Sequence, residues 1–267
     1  MQPVTLQFSP DLHVFLLPQQ RDAAVPFPLV ECAPVKHPVE ALGVPHTEVD
    51  AVTVNGHGVT LDHRLWGGER VHVYSSLDLP ADSPLAQLLP PVRPALPRPP
   101  RFVLDTHLGR LAAHLRLFGF DTLYRNDYAD DLLAAIAAAD RRVLLTRDRG
   151  LLKRKIVVYG HWVRDTRPRR QLLDVMRRYA LAPLAAPWTR CARCNGLLTP
   201  VAKADVMPQL EPKTKLYYQN FQRCAVCGQV FWQGSHFARM QTFVDGVLAE
   251  LATDPPADPP TGAPADA

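Results

Sequence analysis

Between Arg101 and Leu181 short apolar runs alternate with amphipathic ones, and this alternation constrains the fold more tightly than any other feature of the 267 residues. RFVLD reads as a strand. Leu108, Leu111, Ala112 and Leu115 then recur at the i, i+3, i+4, i+7 spacing of one helical face; Phe118 extends that face and Gly119 stops it. DTLYR predicts a second strand, and DDLLAAIAAAD a helix whose opening aspartates suit the positive end of its dipole. RVLLT predicts a third strand, IVVYG a fourth and RRQLLDVMRRYA a closing helix. Strand–helix units repeated in this order predict an α/β core over residues 101–181, a parallel sheet covered by helices.

The N-terminal part reads differently. In residues 1–82, VTLQF and HVFLL predict a hairpin pair and VKHPVEALGV a short helix. AVTVNGHGVTL predicts two strands about an Asn-Gly turn, and GGERVHVY a last strand. That order fits a β-grasp domain. The span VKHPVEALGVPHTEVDAVTVNG, with GGERVHVY, resembles the ubiquitin-like domains related to small sulfur carriers. Those carriers act through a free C-terminal Gly-Gly, whereas Gly67-Gly68 lies inside this chain. The resemblance therefore implies a docking role with a protein partner for residues 1–82, not sulfur transfer.

Prolines mark the joints. Of 27 in the chain, six fall within Leu85–Pro100 and five after Glu250. Residues 83–100 are predicted to be a Pro-rich linker, extended and semi-rigid, and residues 250–267 a disordered tail. A hydrophobic share of 47% excludes a wholly disordered chain, and no apolar run of about 18 residues is present to span a membrane. The first residues lack the basic-then-apolar pattern of a secretory signal, so a soluble, cytoplasmic protein is the expectation.

Charge is unevenly divided. Residues 1–85 hold 4 Lys/Arg against 10 Asp/Glu, and residues 101–181 hold 17 Lys/Arg against 9 Asp and no Glu. The net +4 hides an acidic front and a basic core, the pattern expected for a polyanionic partner. A solvated arginine-rich surface would give the same counts. Within that basic domain Asp105 ends the first strand, Asp130 and Asp131 open the second helix, and Asp148 follows the third strand. The carboxyl ends of parallel strands form the ligand crevice of an open sheet. Carboxylates gathered there repel one another unless a hard divalent cation, Mg²⁺ or Mn²⁺, lies between them. Helix caps and turns use Asp as well, and that reading stays open.

Cys191-Ala-Arg-Cys194 and Cys224-Ala-Val-Cys227 form two C-x₂-C pairs with 29 residues between them. Four thiolates on two tight turns make a closed tetrahedral Zn²⁺ site, structural because no coordination position stays open. An iron–sulfur cluster takes the same ligands. Residues 182–249 thus read as a zinc ribbon followed by a closing helix. Cys32 stands alone and reads as a small core residue. Tyr217, Tyr218, Phe221, Arg223, Phe231, Trp232, His236 and Arg239 surround the second pair; such a set can stack bases of a single strand or build the ribbon's own core.

RFVLDTHLGRLAAHLRLFGFDTLYRNDYADDLLAAIAAADRRVLLTRDRGLL resembles the PIN-like ribonucleases. More narrowly it is similar to the branch named for the C-terminal part of the mutator-seven exonuclease, in which a zinc ribbon follows the core. The long stretches D-x-x-LGRLA-x-x-LR-x-x-GFDT and LLTRDR carry the likeness, which spans residues 101–245. It implies a metal-dependent ribonuclease acting on single-stranded RNA, with Asp105, Asp130 and Asp148 as catalytic Mg²⁺ or Mn²⁺ ligands and Asp131 one residue out of register. Arg110, Arg147, Arg149, Lys153, Tyr217, Trp232 and His236 are the candidate RNA contacts. The family often has a further Asp where this chain has Gly150 and an acid where it has Leu132. One metal rather than two is then expected, and an RNA-binding adaptor with a degenerate core is the alternative reading.

Overall fold

Strict alternation in VTLQF makes the first strand: Val4, Leu6 and Phe8 are buried while Thr5 and Gln7 point away from the core. The computed structural model describes residues 2–76 and 84–253. They divide into two units. The first holds the described residues up to Leu96 together with Thr146–Trp162; the second holds Pro97–Leu145 and the described residues from Val163 onward.

In the first unit the elements are β1 (Val4–Phe8), β2 (Val25–Phe27), β3 (Ala33–Pro34), α1 (Lys36–Ala41), β4 (Ala51–Val54), β5 (His57–Val59), β6 (Arg64–Leu65), β7 (Arg70–Tyr74) and α2 (Pro84–Leu88). The main sheet runs β2-β1-β7-β4-β5, with β1 parallel to β7 and its other neighbours antiparallel. A parallel central pair flanked by hairpins is the β-grasp arrangement expected. Asn55 and Gly56 both take positive φ, at 50° and 83°, which is what a two-residue hairpin turn requires.

Two expectations for this region need correction. HVFLL is not a strand: Pro10–Phe15 forms a 3-10 helix with proline in its first turn. Leu12, Phe15 and Leu16 are buried at three-to-four spacing, a helical period, and the antiparallel partner of β1 is Val25–Phe27 instead. The proline-rich stretch is not a free spacer either. It opens with α2; Val92 then packs on the first unit's core, and Arg93 donates to the carbonyls of Thr47 (3.0 Å) and Val49 (2.9 Å) and pairs with Asp50. A guanidinium carries five donors, and here backbone carbonyls and a carboxylate lie within its reach. Cys32, expected in the core, is only half-buried.

The second unit contains β8 (Phe102–Leu104), α3 (Gly109–Leu117), β9 (Thr122–Tyr124), α4 (Asp130–Ala139) and β10 (Val143–Thr146). Parallel pairing sets Val103 between Leu144 and Leu123. Leu108, Leu111, Ala112, Leu115 and Phe118 are all 0% exposed, so the apolar face read from the sequence is the packed one. Gly119 ends α3 at φ 92°, and a Cβ there would lie 2.3 Å from the Ala186 carbonyl oxygen. Between the two stretches of this unit, in the first unit, lie α5 (Arg149–Leu152) and β11 (Gly160–Trp162). The expected strand over IVVYG is therefore displaced toward the C-terminus: Ile156 and Val158 are exposed, and extended pairing begins only at Gly160.

From Val163 onward come α6 (Pro168–Arg178), β12 (Leu198–Val201), α7 (Lys203–Val206), α8 (Pro212–Tyr217), β13 (Phe221–Cys224), β14 (Val230–Trp232) and α9 (Ser235–Thr253). β12, β13 and β14 form an antiparallel sheet over a small core of Val206, Leu210, Phe221 and Val230. Helix α6 packs between α3 and α9. Glu250–Thr253, assigned to the tail on sequence, belong to α9; the rest of that tail, and residues 77–83, lie outside the described residues. No helix among the described residues is long and apolar enough to cross a membrane.

Candidate functional site

The cysteines form the better-defined site. Sγ atoms of Cys191, Cys194, Cys224 and Cys227 all lie within 4.8 Å of one another, with 3.8 Å between Cys191 and Cys227 and 3.3 Å between Cys194 and Cys224. Both pairs are presented by the same turn. The amide of Asn195 donates to the Cys191 carbonyl and that of Gly228 to the Cys224 carbonyl, and these two residues have φ 73° and 71°. Gly196 is needed for closeness, since a Cβ there would meet the Cys224 Sγ at 2.7 Å.

Packed thiols cannot all ionise unaided. Burial pushes Cys194 up to about 12, helped by the surrounding thiols of Cys224, Cys227 and Cys191. Burial opposes ionisation of Cys224 too, but the amides of Cys227 and Val226 outweigh it and bring that thiol down to about 7. With Cys224 readily ionised and burial holding Cys191 and Cys194 back, this is a donor set that a soft-accepting dication such as zinc could complete.

The cysteine turn is bolted to the α/β core by residues that the sequence reading passed over. Arg116 on α3, 5% exposed, donates from Nε to the Thr122 carbonyl (2.9 Å) and from Nη1 to the carbonyls of Ala192 (3.3 Å) and Arg193 (2.9 Å). Asp121 accepts from Arg142 Nη1 and from Asn195 Nδ2, each at 2.8 Å, and the Asn195 Oδ1 accepts from the Thr122 amide (2.9 Å). Burial would raise the Asp121 carboxyl, yet these hydrogen bonds and the Arg142 charge hold it below the usual carboxylate range. Arg116 had one available signal: it stands four residues after Ala112, on the apolar face of its helix.

The acidic candidates sit on three separate elements. Asp105 directly follows β8; its amide donates to the Leu145 carbonyl (3.0 Å), and its Oδ1 accepts from the Thr106 amide. Asp130 and Asp131 open α4, but the N-cap is Ala129 and makes no side-chain cap, so neither aspartate is there as the capping residue. Asp148 is the N-cap of α5, its Oδ1 accepting from the Gly150 amide at 2.7 Å, while its own amide donates to the Thr146 hydroxyl at 2.9 Å. For Asp148 the capping reading is therefore realised, with its second oxygen not engaged by that cap. Leu132 is 48% exposed in the first turn of α4, and a Cβ at Gly150 would come within 3.1 Å of the Asp148 Oδ1.

The candidate RNA contacts divide. Arg110 is exposed near the start of α3. Arg147 and Arg149 flank Asp148, and the Arg149 guanidinium lies 5.1 Å from the Trp162 ring centroid. Lys153 is committed elsewhere: its Nζ donates to the Glu40 carbonyl at 2.7 Å. Around the ribbon, Phe221 is core, whereas Tyr217 is 70% and Trp232 37% exposed, so core and surface roles fall to different aromatics. His236 and Arg239 face each other at 3.5 Å beside a cleft of about 380 Å³ floored by Leu117, Met240 and Phe243.

Two family models match the chain: the Mut7-C RNAse domain over residues 100–244, and Mut7-C ubiquitin over residues 1–78. No curated protein and no solved structure matches it.

Proposed function

Because the chain belongs to the Mut7-C RNAse domain family, we propose that it is a metal-dependent ribonuclease hydrolysing phosphodiester bonds of single-stranded RNA. The observation that carries this reading is the position of Asp105 at the carboxyl end of β8. There its partner strand β10, paired Leu104 to Leu145, leads within three residues to Asp148. Asp105, Asp130 and Asp148, with Asp131 adjacent, would hold Mg²⁺ or Mn²⁺ through hard oxygen donors. A cation bound there supplies an activated water and offsets charge developing on the phosphate.

The chain's own groups orient and bind. The Thr106 and Gly150 amides each fix one oxygen of Asp105 and Asp148, leaving those carboxylates preset instead of free to rotate. Arg110, Arg147 and Arg149 bind flanking phosphates, a contribution that weakens as salt rises. The exposed rings of Tyr217 and Trp232 stack bases. Zn²⁺ on Cys191, Cys194, Cys224 and Cys227 holds the ribbon together and takes no part in the chemistry, which suits a reducing, cytoplasmic setting.

Leu132 and Gly150 favour one other reading, an RNA-binding adaptor whose acidic site is incomplete. A cleavage assay on generic single-stranded RNA separates the two. Cleavage that needs Mg²⁺ or Mn²⁺ and stops on chelation is the expected result; binding without cleavage in every divalent cation would transfer the assignment to the adaptor.

A further inference from the structure

Asp148 lies on a segment, Thr146–Trp162, that is held within the first unit by buried polar groups no catalytic role explains. Glu48 is 3% exposed. Its Oε1 accepts from the Trp162 amide at 2.6 Å, and its Oε2 pairs with His161 Nδ1 at 3.1 Å, itself 5% exposed. His46 bridges in the same way, Nδ1 to Glu40 at 2.7 Å and Nε2 to the Val157 carbonyl at 2.8 Å. Lys153 reaches the Glu40 carbonyl, and the Tyr159 hydroxyl donates to the carbonyls of Pro94 and Ala95, both at 3.1 Å. Trp162 then acts on the residues either side of Asp148. Its Nε1 donates to the Arg147 carbonyl at 3.1 Å, its ring lies under the Arg149 guanidinium, and the Phe15 ring lies 5.2 Å from it.

We propose that the ubiquitin-like domain is a positioning part of the nuclease: Glu48 fixes Trp162, and Trp162 fixes Arg147 and Arg149, and so Asp148. The proposal rests on the nuclease reading only in making Asp148 a metal ligand. A module serving as a tethered docking domain has no need of a buried carboxylate–histidine pair reaching a segment 113 residues downstream, because such a pair costs desolvation. The same expenditure is expected where a ligand must be held to within a fraction of an ångström. Glu48 and Trp162 are positioning residues; neither touches RNA or metal in this scheme.

The test uses the full chain as wild type, Glu48→Ala, Glu48→Gln and Trp162→Phe. Amide hydrogen exchange is followed over residues 147–152 and over β1 and β7, and Mn²⁺ affinity is measured by calorimetry. Glu48→Ala should speed exchange over 147–152 and weaken Mn²⁺ by about tenfold, the scale of losing an outer support to a metal ligand. Exchange in β1 and β7 should stay slow. Glu48→Gln should recover most of the Mn²⁺ affinity, since its amide oxygen still accepts from the Trp162 amide. Trp162→Phe keeps an aromatic ring and loses only the bond to Arg147, so it carries the test if Glu48→Ala does not fold. Unchanged exchange over 147–152 in Trp162→Phe, or faster exchange with Mn²⁺ affinity unaltered, overturns the proposal. Wild type that binds no Mn²⁺ sinks the nuclease reading instead, and exchange alone then decides whether Glu48 and Trp162 hold the segment.

Discussion

Asp121 ties three pieces of chain with one carboxylate: the strand that follows it, Arg142 before β10, and Asn195 in the first cysteine turn. Its folded pKa lies below its unfolded value because the Arg142 and Asn195 hydrogen bonds outweigh burial. Such a group stabilises fully above the unfolded value, about 3.9, and loses that contribution as pH falls through the folded one. Urea midpoints measured between neutral and strongly acid pH should drop more steeply for wild type than for Asp121→Asn; parallel curves would mean that the carboxylate is not paired in solution. Some single residues were legible in sequence and some were not. The four cysteines were, because C-x₂-C spacing carries its own geometry. Glu48 and His161 were not, because a buried carboxylate–imidazole contact between residues so distant in sequence leaves no local pattern.

At the scale of elements, periodicity decided what could be read. Helices α3, α4 and α6 are ten residues or so each, and each lies where the sequence predicts a helix, α3 with the apolar face read from its i, i+3, i+4, i+7 spacing. HVFLL and IVVYG are five-residue apolar runs, too short for a period to separate strand from turn or 3-10 helix, and both were misread. The ribbon is the element most dependent on a ligand. Its core among the described residues is four buried apolar side chains, so a metal on the four cysteines would supply much of its folding energy. Purified protein should contain one zinc per chain, and Cys191→Ser with Cys194→Ser should remove it. Chelation should open residues 190–232 to protease while β1 and β7 stay protected. Iron with a visible charge-transfer band, or a ribbon indifferent to chelator, would contradict this assignment.

For the whole molecule, composition shows where a joint falls but not what fastens it. Clustered prolines mark a joint, yet Val92 and Arg93 fasten that joint to the N-terminal core, and Thr146–Trp162 belongs to the same unit. Proline content reports what backbone cannot do, not which side chains will find partners. The acidic site was legible as positions only: the ends of β8 and β10 and the start of α4 were foreseen, and the amides orienting Asp105 and Asp148 were not. The central claim is that these carboxylates hold the metal that cleaves RNA. Asp105→Asn tests it most directly, because it preserves shape and removes one charge from the site. Turnover on single-stranded RNA in Mg²⁺ or Mn²⁺ should fall by orders of magnitude, with RNA binding and melting temperature retained. Cleavage by the asparagine protein at the wild-type rate would contradict the account.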